Sequence, residues 1–175
     1  EKISQMKLRE YDNKVVFDML NLVKDAKLML DKKELEALYE IITESWIKMI
    51  APFCPHIAEE CWGKLKGKSF VSLQEWPKAD EKKINEKLEA QEKILQNAID
   101  DINNIMKILK EKQSKEAKTI YLYTLPNEKD IYNIEYLSKK LNKEIKVFAV
   151  NDKNKHDPQN KAAKAKPGKP AIYVE

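Results

Sequence analysis

The chain has 175 residues, 42% of them hydrophobic, and a formal charge of +4 from 33 basic and 29 acidic side chains. That composition supplies a buried core for one ordinary domain or two small ones and excludes a disordered chain. No apolar run approaches about 18 residues and no signal-peptide pattern is present, so no membrane-spanning helix and a cytoplasmic location are expected.

The charge is unevenly spread. Residues 151–175 carry six lysines against three acidic residues, whereas residues 1–80 carry thirteen basic and fourteen acidic side chains. Positive charge gathered at one end suits an anionic partner such as nucleic acid, with a solvated lysine face as the plain alternative. The chain opens at Glu1 without a methionine, which leads us to expect a piece of a longer protein.

In chain order, Asp12 is expected to cap a helix in which Val15, Val16, Met19, Leu20, Val23, Ala26 and Leu30 recur at helical spacing as far as Asp31. A second helix from about Lys33 carries Leu35, Leu38, Tyr39, Ile42, Trp46, Met49 and Ile50, and Pro52 stops it. Pro55 suits a first helical position, opening a third helix with Ile57, Ala58, Cys61, Trp62 and Leu65 that is expected to end at Gly67. Short links between them predict an antiparallel bundle. Trp46 and Trp62 read as core residues.

The stretch "SFVSLQEWPKAD" reads as a connector laid over that bundle. A long helix is expected from Asp80 to Gln113, with Ile84, Gln91, Ala98 and Ile105 interleaved with Leu88, Leu95, Ile102 and Leu109 in a 4-3-4-3 seam. It would span about 45 Å. The seam fits a structural prop, or alternatively a homodimeric coiled coil. Beyond it, "KTIYLYTL" and "KEIKVFAVN" read as strands flanking a helix in "NEKDIYNIEYLSKKLN" with Ile131, Ile134, Leu137 and Leu141 inward, and "PAIYVE" as a further strand. The expected fold is thus α+β and mostly α, with a helical domain over 1–79 and a second domain over 80–175. The second comprises the long helix (80–113), an α/β module (116–151) and a basic tail (152–175).

Catalytic candidates are few. The glycines Gly63, Gly67 and Gly168 assemble neither a dinucleotide fingerprint nor a P-loop, and His56 and His156 lack a nucleophile in a recognisable setting. Cys54, His56 and Cys61, with Glu59 or Glu60, invite a zinc site, but the spacing is wrong for paired knuckles and free helical cysteines are mostly small core hydrophobes. Cys54 and Cys61 would lie about 10 Å apart on a helix, beyond disulfide reach. We therefore expect no metal site, no cofactor and no catalysis from this chain alone.

The segment "MIAPFCPHIAEECWGKL" (49–65) closely resembles the signature of the helical anticodon-binding domain in class I aminoacyl-tRNA synthetases for leucine, isoleucine, valine and methionine. In that pattern Pro52 and Pro55 set a turn, His56 enters the next helix and Trp62 fills the core. "SLQEWP" is similar to the connector that follows it. The long helix, the α/β module and the ending "DPQNKAAKAKPGKPAIYVE" resemble the leucyl-tRNA synthetase family of archaeal and eukaryotic-cytosolic type, most like the archaeal members. That family's ATP-handling signatures, a His-x-Gly-His turn and a Lys-Met-Ser-Lys-Ser loop, are absent; "KEKQSK" at 110–115 does not supply the second.

The resemblance implies a parent leucine-tRNA ligase using ATP and magnesium, with catalytic and editing domains upstream of Glu1. It further implies that tRNA-Leu is recognised by its long variable arm and not by its anticodon. Lys153, Lys155, Lys161, Lys164, Lys166 and Lys169 would then meet phosphates, Ile172 and Tyr173 would fasten the ending, and Val174 and Glu175 would face unpaired bases, with His156 adding charge or a stacking surface. Glu175 offers side-chain and terminal carboxylates as acceptors, and removal of Val174 and Glu175 is expected to spare the fold. The other reading is a protein-interaction appendage that docks a synthetase partner and binds RNA only non-specifically. An edge strand closing the module is compatible with both.

Overall fold

The computed structural model describes residues 7–66, 69–113 and 117–175. The fold is α+β, mostly helical, with one small mixed sheet. The chain divides into two compact units, Glu1–Lys82 and Lys83–Glu175. Among the described residues no helix is long and apolar enough to cross a membrane.

In the first unit, α1 (Leu8–Asp12) runs through a π-helical stretch (Asn13–Asp18) into α2 (Met19–Met29). Asp12 is therefore not an N-cap: its φ of −57° and ψ of −46° place it inside the helix. The helix starts earlier, and within it the Tyr11 hydroxyl donates to the Met49 carbonyl at 2.8 Å. Within the π stretch Val15 is buried and its carbonyl accepts from the Trp46 indole Nε1 at 2.7 Å. Trp46 is accordingly half-buried with its polar edge satisfied, while Trp62 is the true core residue at 3% exposure.

Asp31, expected to end the first helix, instead caps α3 (Lys32–Ile50). Its carboxylate accepts from the Glu34 N–H and the Glu34 carboxylate accepts from the Asp31 N–H, both at 2.9 Å. Pro52 and Pro55 bound the break before α4 (Pro55–Lys66), across which the N–H groups of Phe53 and Cys54 both reach the Ile50 carbonyl. Gly67, the expected helix end, lies outside the described residues. Ile47, Ala58, Trp62 and Val71 form the core, packed by Ile50, Ala51 and Cys61. Full burial contributes roughly 2–3 kcal/mol for a large apolar side chain.

The second unit begins with the long helix, but α5 spans Glu86–Gln113 and not Asp80 onward. Asn85 is the cap, its side-chain oxygen accepting from the Leu88 N–H at 3.2 Å, while Asp80 closes a short turn onto the Lys82 N–H. The heptad seam is buried only in its middle, at Ala98 and Ile102 with Ile99 beside them; Ile84 and Leu88 are 57% and 60% exposed.

Glu116, the expected start of the module, also lies outside the described residues. Its sheet is β1 (Thr119–Thr124), β2 (Glu144–Ala149) and β3 (Ala171–Val174) in the order β2-β1-β3, with β1 parallel to β2 and antiparallel to β3. The β1–β2 crossover holds a 3-10 segment (Pro126–Ile131) and then α6 (Ile134–Leu141), which Asn133 caps by accepting from the Tyr136 N–H and Asn142 ends in the left-handed region. This break changes the inward set: Leu137 and Leu141 are buried as expected, but Ile134 is exposed and Tyr132 and Tyr136 are buried.

Candidate nucleic-acid interface

Side chains alternate across a strand, so the register assigns β1 two faces. Ile120, Leu122 and Thr124 point one way, opposite Ile145 and Val147; Tyr121 and Tyr123 point the other. Tyr121 pairs with Lys146 on one side and Tyr173 on the other, and Tyr123 with Phe148 and Ala171. The tyrosine face is covered by the segment that returns to β3, not by a helix. Ala162 and Ala165 pack there against Tyr121, Tyr123, Ala171 and Tyr173.

The returning segment is held in place, despite its lysines. Asp157 accepts from the N–H groups of Lys161 and Ala162 at 2.7 and 2.9 Å, fixing the 3-10 turn Ala162–Lys164. The Tyr123 hydroxyl donates to the His156 carbonyl. Further on, Lys166 and Lys169 bridge a turn whose Gly168 adopts φ +69°, open to glycine at low cost, and whose Gly168 N–H donates to Glu128 at 2.9 Å. Lys169 Nζ lies 3.7 Å from Asp101 of α5.

Aromatic rings gather where the segment crosses the sheet. Ring centroids of Tyr121 lie 4.9 Å from His156 and 5.7 Å from Tyr173, and His156 and Tyr173 are 6.2 Å apart. Lys146 Nζ sits 5.7 Å over the Tyr121 ring and Lys161 Nζ 5.6 Å over that of Tyr173. The Glu175 carboxylate closes the group: its Oε2 accepts from the Tyr121 hydroxyl at 3.3 Å and lies 3.6 Å from His156 Nε2. Burial raises the Tyr121 phenol above its ordinary range; Lys146 opposes the shift and Glu175 adds to it. Burial, with Asp157 nearby, pushes Tyr123 up to about 12.

Of the residues singled out from the sequence, His156, Lys161, Tyr173 and Glu175 thus share one face. Ile172 and Val174 sit at the alternate register positions, opposite Leu122 and Ile120, so Val174 and Glu175 do not lie side by side on the same surface. Lys153 and Lys164 are exposed, Lys155 donates to the Asp152 carbonyl, and Lys166 and Lys169 flank the turn near α5. Sequence reasoning missed Tyr121, Tyr123, Lys146 and Phe148. The period-two spacing in "TIYLYT" was the available signal for the two tyrosines.

In the first unit the signature residues also converge. Tyr11 stacks on Phe53 at 5.3 Å and lies 6.4 Å from Trp76 of the connector. Pro52, Pro55 and His56 are exposed around that turn. Glu60 pairs with Lys64 at 2.6 Å, and Glu59 accepts from the Val71 and Ser72 N–H groups at 2.8 and 3.3 Å. Among the described residues no group of three His, Cys, Asp or Glu side chains is placed to hold a metal ion.

Comparison with known proteins gives these two units a lineage. A model of the anticodon-binding domain of tRNA ligase matches residues 1–122, from the helices of the first unit through α5 into β1, and the chain belongs to that family. Its relatives are archaeal leucine-tRNA ligases. The chain is 41% identical to that of Pyrococcus horikoshii over 83 residues, covering 47% of this chain and 8% of the relative. It is 36% identical to that of Archaeoglobus fulgidus over 122 residues, 70% of this chain and 12% of the relative. For Staphylothermus marinus the identity is 28% over 152 residues, 86% of this chain and 15% of the relative. The chain therefore spans less than a sixth of the length of these relatives.

Proposed function

We propose that this chain is the tRNA-binding portion of a leucyl-tRNA synthetase and engages tRNA-Leu through its long variable arm. Leucylation, with its ATP and magnesium, would belong to catalytic and editing domains elsewhere in the same cytoplasmic polypeptide. The helices of the first unit, an antiparallel bundle of the anticodon-binding type, would support the inner side of the tRNA.

The observation that carries the reading is the aromatic face of the second unit, where Tyr173 and His156 stand beside Lys146 and Lys161 with the Glu175 carboxylate between sheet and solvent. Unpaired RNA bases stack on such rings, and lysines meet the adjoining phosphates. Phosphate contact by Lys153, Lys155, Lys164, Lys166 and Lys169 adds affinity without sequence information. A carboxylate contributes the opposite quality, because it accepts from base amino groups and repels phosphate.

The reading is tested by competition. An isolated variable-arm hairpin of tRNA-Leu should displace bound tRNA-Leu from the chain at concentrations well below those needed for an unrelated hairpin of equal length. Equal competition by both would favour a second reading, a synthetase-docking appendage with generic RNA affinity, to which the exposed Ile84 and Leu88 give some support.

A further inference from the structure

Glu175 is placed by more than its own strand. Its N–H donates to the Thr119 carbonyl at 3.0 Å, and its carbonyl accepts from the N–H groups of Lys118 and Thr119 at 2.7 and 3.0 Å. With the backbone fixed, the side chain remains 59% exposed, and the contacts it makes among the described residues are at Oε2. That oxygen, Oε2, meets both the Tyr121 hydroxyl and His156 Nε2. Tyr121 itself is 7% exposed, shut in beneath its neighbours, and cannot serve as a stacking surface. His156 is held through its carbonyl by Tyr123, independently of its ring.

We infer that Tyr121 and His156 are positioning residues for Glu175: they hold its side-chain carboxylate by Oε2 so that Oε1 is left as the oriented side-chain acceptor for one base N–H donor. The inference rests on the RNA-reading role proposed above. Two physical consequences distinguish it from a merely structural contact. An untethered glutamate would sample several rotamers and would lose side-chain entropy on meeting a base, a cost that tethering removes in advance. The Tyr121 donor at Oε2 also offsets part of the negative charge, which lets the carboxylate approach RNA with less repulsion from phosphate.

The test uses the chain with a variable-arm hairpin of tRNA-Leu, and with the same hairpin in which loop adenines are replaced by purine and loop guanines by inosine, both lacking the exocyclic amino group. The readout is the ratio of the two affinities, which a general loss of stability would not move selectively. The natural chain should prefer the amino-bearing loop by about tenfold, the worth of one hydrogen bond to a charged acceptor. Glu175→Gln should bring the ratio close to one. Tyr121→Phe, which keeps the ring, should reduce the preference while leaving the melting temperature and the affinity for the amino-free hairpin unchanged; His156→Gln, which keeps the carbonyl held by Tyr123 but removes a stacking ring, should weaken binding of both hairpins and reduce the ratio as well. If Glu175→Gln abolishes the preference and the other two variants retain it in full, the positioning role is overturned and the base-reading role stands. If the natural chain shows no preference, base reading by Glu175 is wrong and the positioning inference falls with it.

Discussion

Glu59 links two parts of the first unit that are twelve residues apart, its carboxylate capping the N–H groups of Val71 and Ser72. Burial works against its charge, but those hydrogen bonds, with one from the Ser72 hydroxyl, outweigh it and hold the carboxyl below its ordinary value of 4.5. The folded state thus binds this proton less tightly than the unfolded chain. Its stabilising contribution is complete above the ordinary carboxylate range and is lost as pH falls through the lowered value. Glu59→Gln should lower the melting temperature at neutral pH and flatten its decline below about pH 4.5, which thermal melts across that range would read. The tyrosines carry the opposite sign of pH dependence. Burial pushes Tyr11, Tyr123 and Tyr132 up to about 12, so their contribution is complete below pH 10 and is lost as pH rises through about 12. Tyrosinate absorbance during alkaline titration should therefore show these three ionising late and together with unfolding. The Tyr132 hydroxyl is buried without a hydrogen-bond partner among the described residues. Tyr132→Phe should accordingly be neutral or stabilising by up to about 1 kcal/mol in chemical denaturation.

At the scale of elements, boundaries turn on single polar side chains. The Asp31–Glu34 capping box starts α3, and Asp31→Ala should cost about 1 kcal/mol by urea denaturation. The same residues show what the sequence could reveal. Periodicity located α2 to α6, because apolar spacing reports the buried face directly. It misassigned Asp12, because an aspartate before an apolar run is a cap only if the chain upstream is not already helical, and it read Asp31 as the end of one helix when it caps the next. Leu8–Asp12 is helical, and within it the Tyr11 hydroxyl donates to the Met49 carbonyl, a partner 38 residues away that no local pattern reveals. Asp80 was likewise read as the start of the long helix, whereas α5 starts at Glu86 with Asn85 as its cap. The strands were legible from β-branched and aromatic alternation, and the tyrosine face was present in that alternation. What covers it was not, since Asp157 and Ala162 join the sheet only through a loop whose path no period encodes.

The ending illustrates the same limit. Val174 and Glu175 read as a detachable pair, but Glu175 forms three backbone hydrogen bonds with Lys118 and Thr119. Truncation would therefore disturb the sheet along with the surface, and side-chain substitution is the cleaner probe.

Over the whole molecule, charge and shape divide the work of recognition. On the function proposed above, lysines of the second unit would supply salt-sensitive attraction, and the affinity for tRNA should fall with rising salt at a logarithmic slope of about −3 to −5, as expected for about four to six phosphate contacts. Filter binding between low and physiological salt would measure it, and Lys161→Ala should reduce the slope by about one unit. Such contacts would not distinguish one tRNA from another; on the proposed reading that falls to the aromatic face around Tyr173, His156 and Glu175. The most direct measurement is the affinity of the chain near physiological salt for tRNA-Leu, for tRNA-Leu lacking its variable arm, and for a tRNA with a short arm. Variable-arm recognition predicts tight binding to the first and at least about tenfold weaker binding to the other two. Equal, weak and salt-sensitive binding to all three would contradict it.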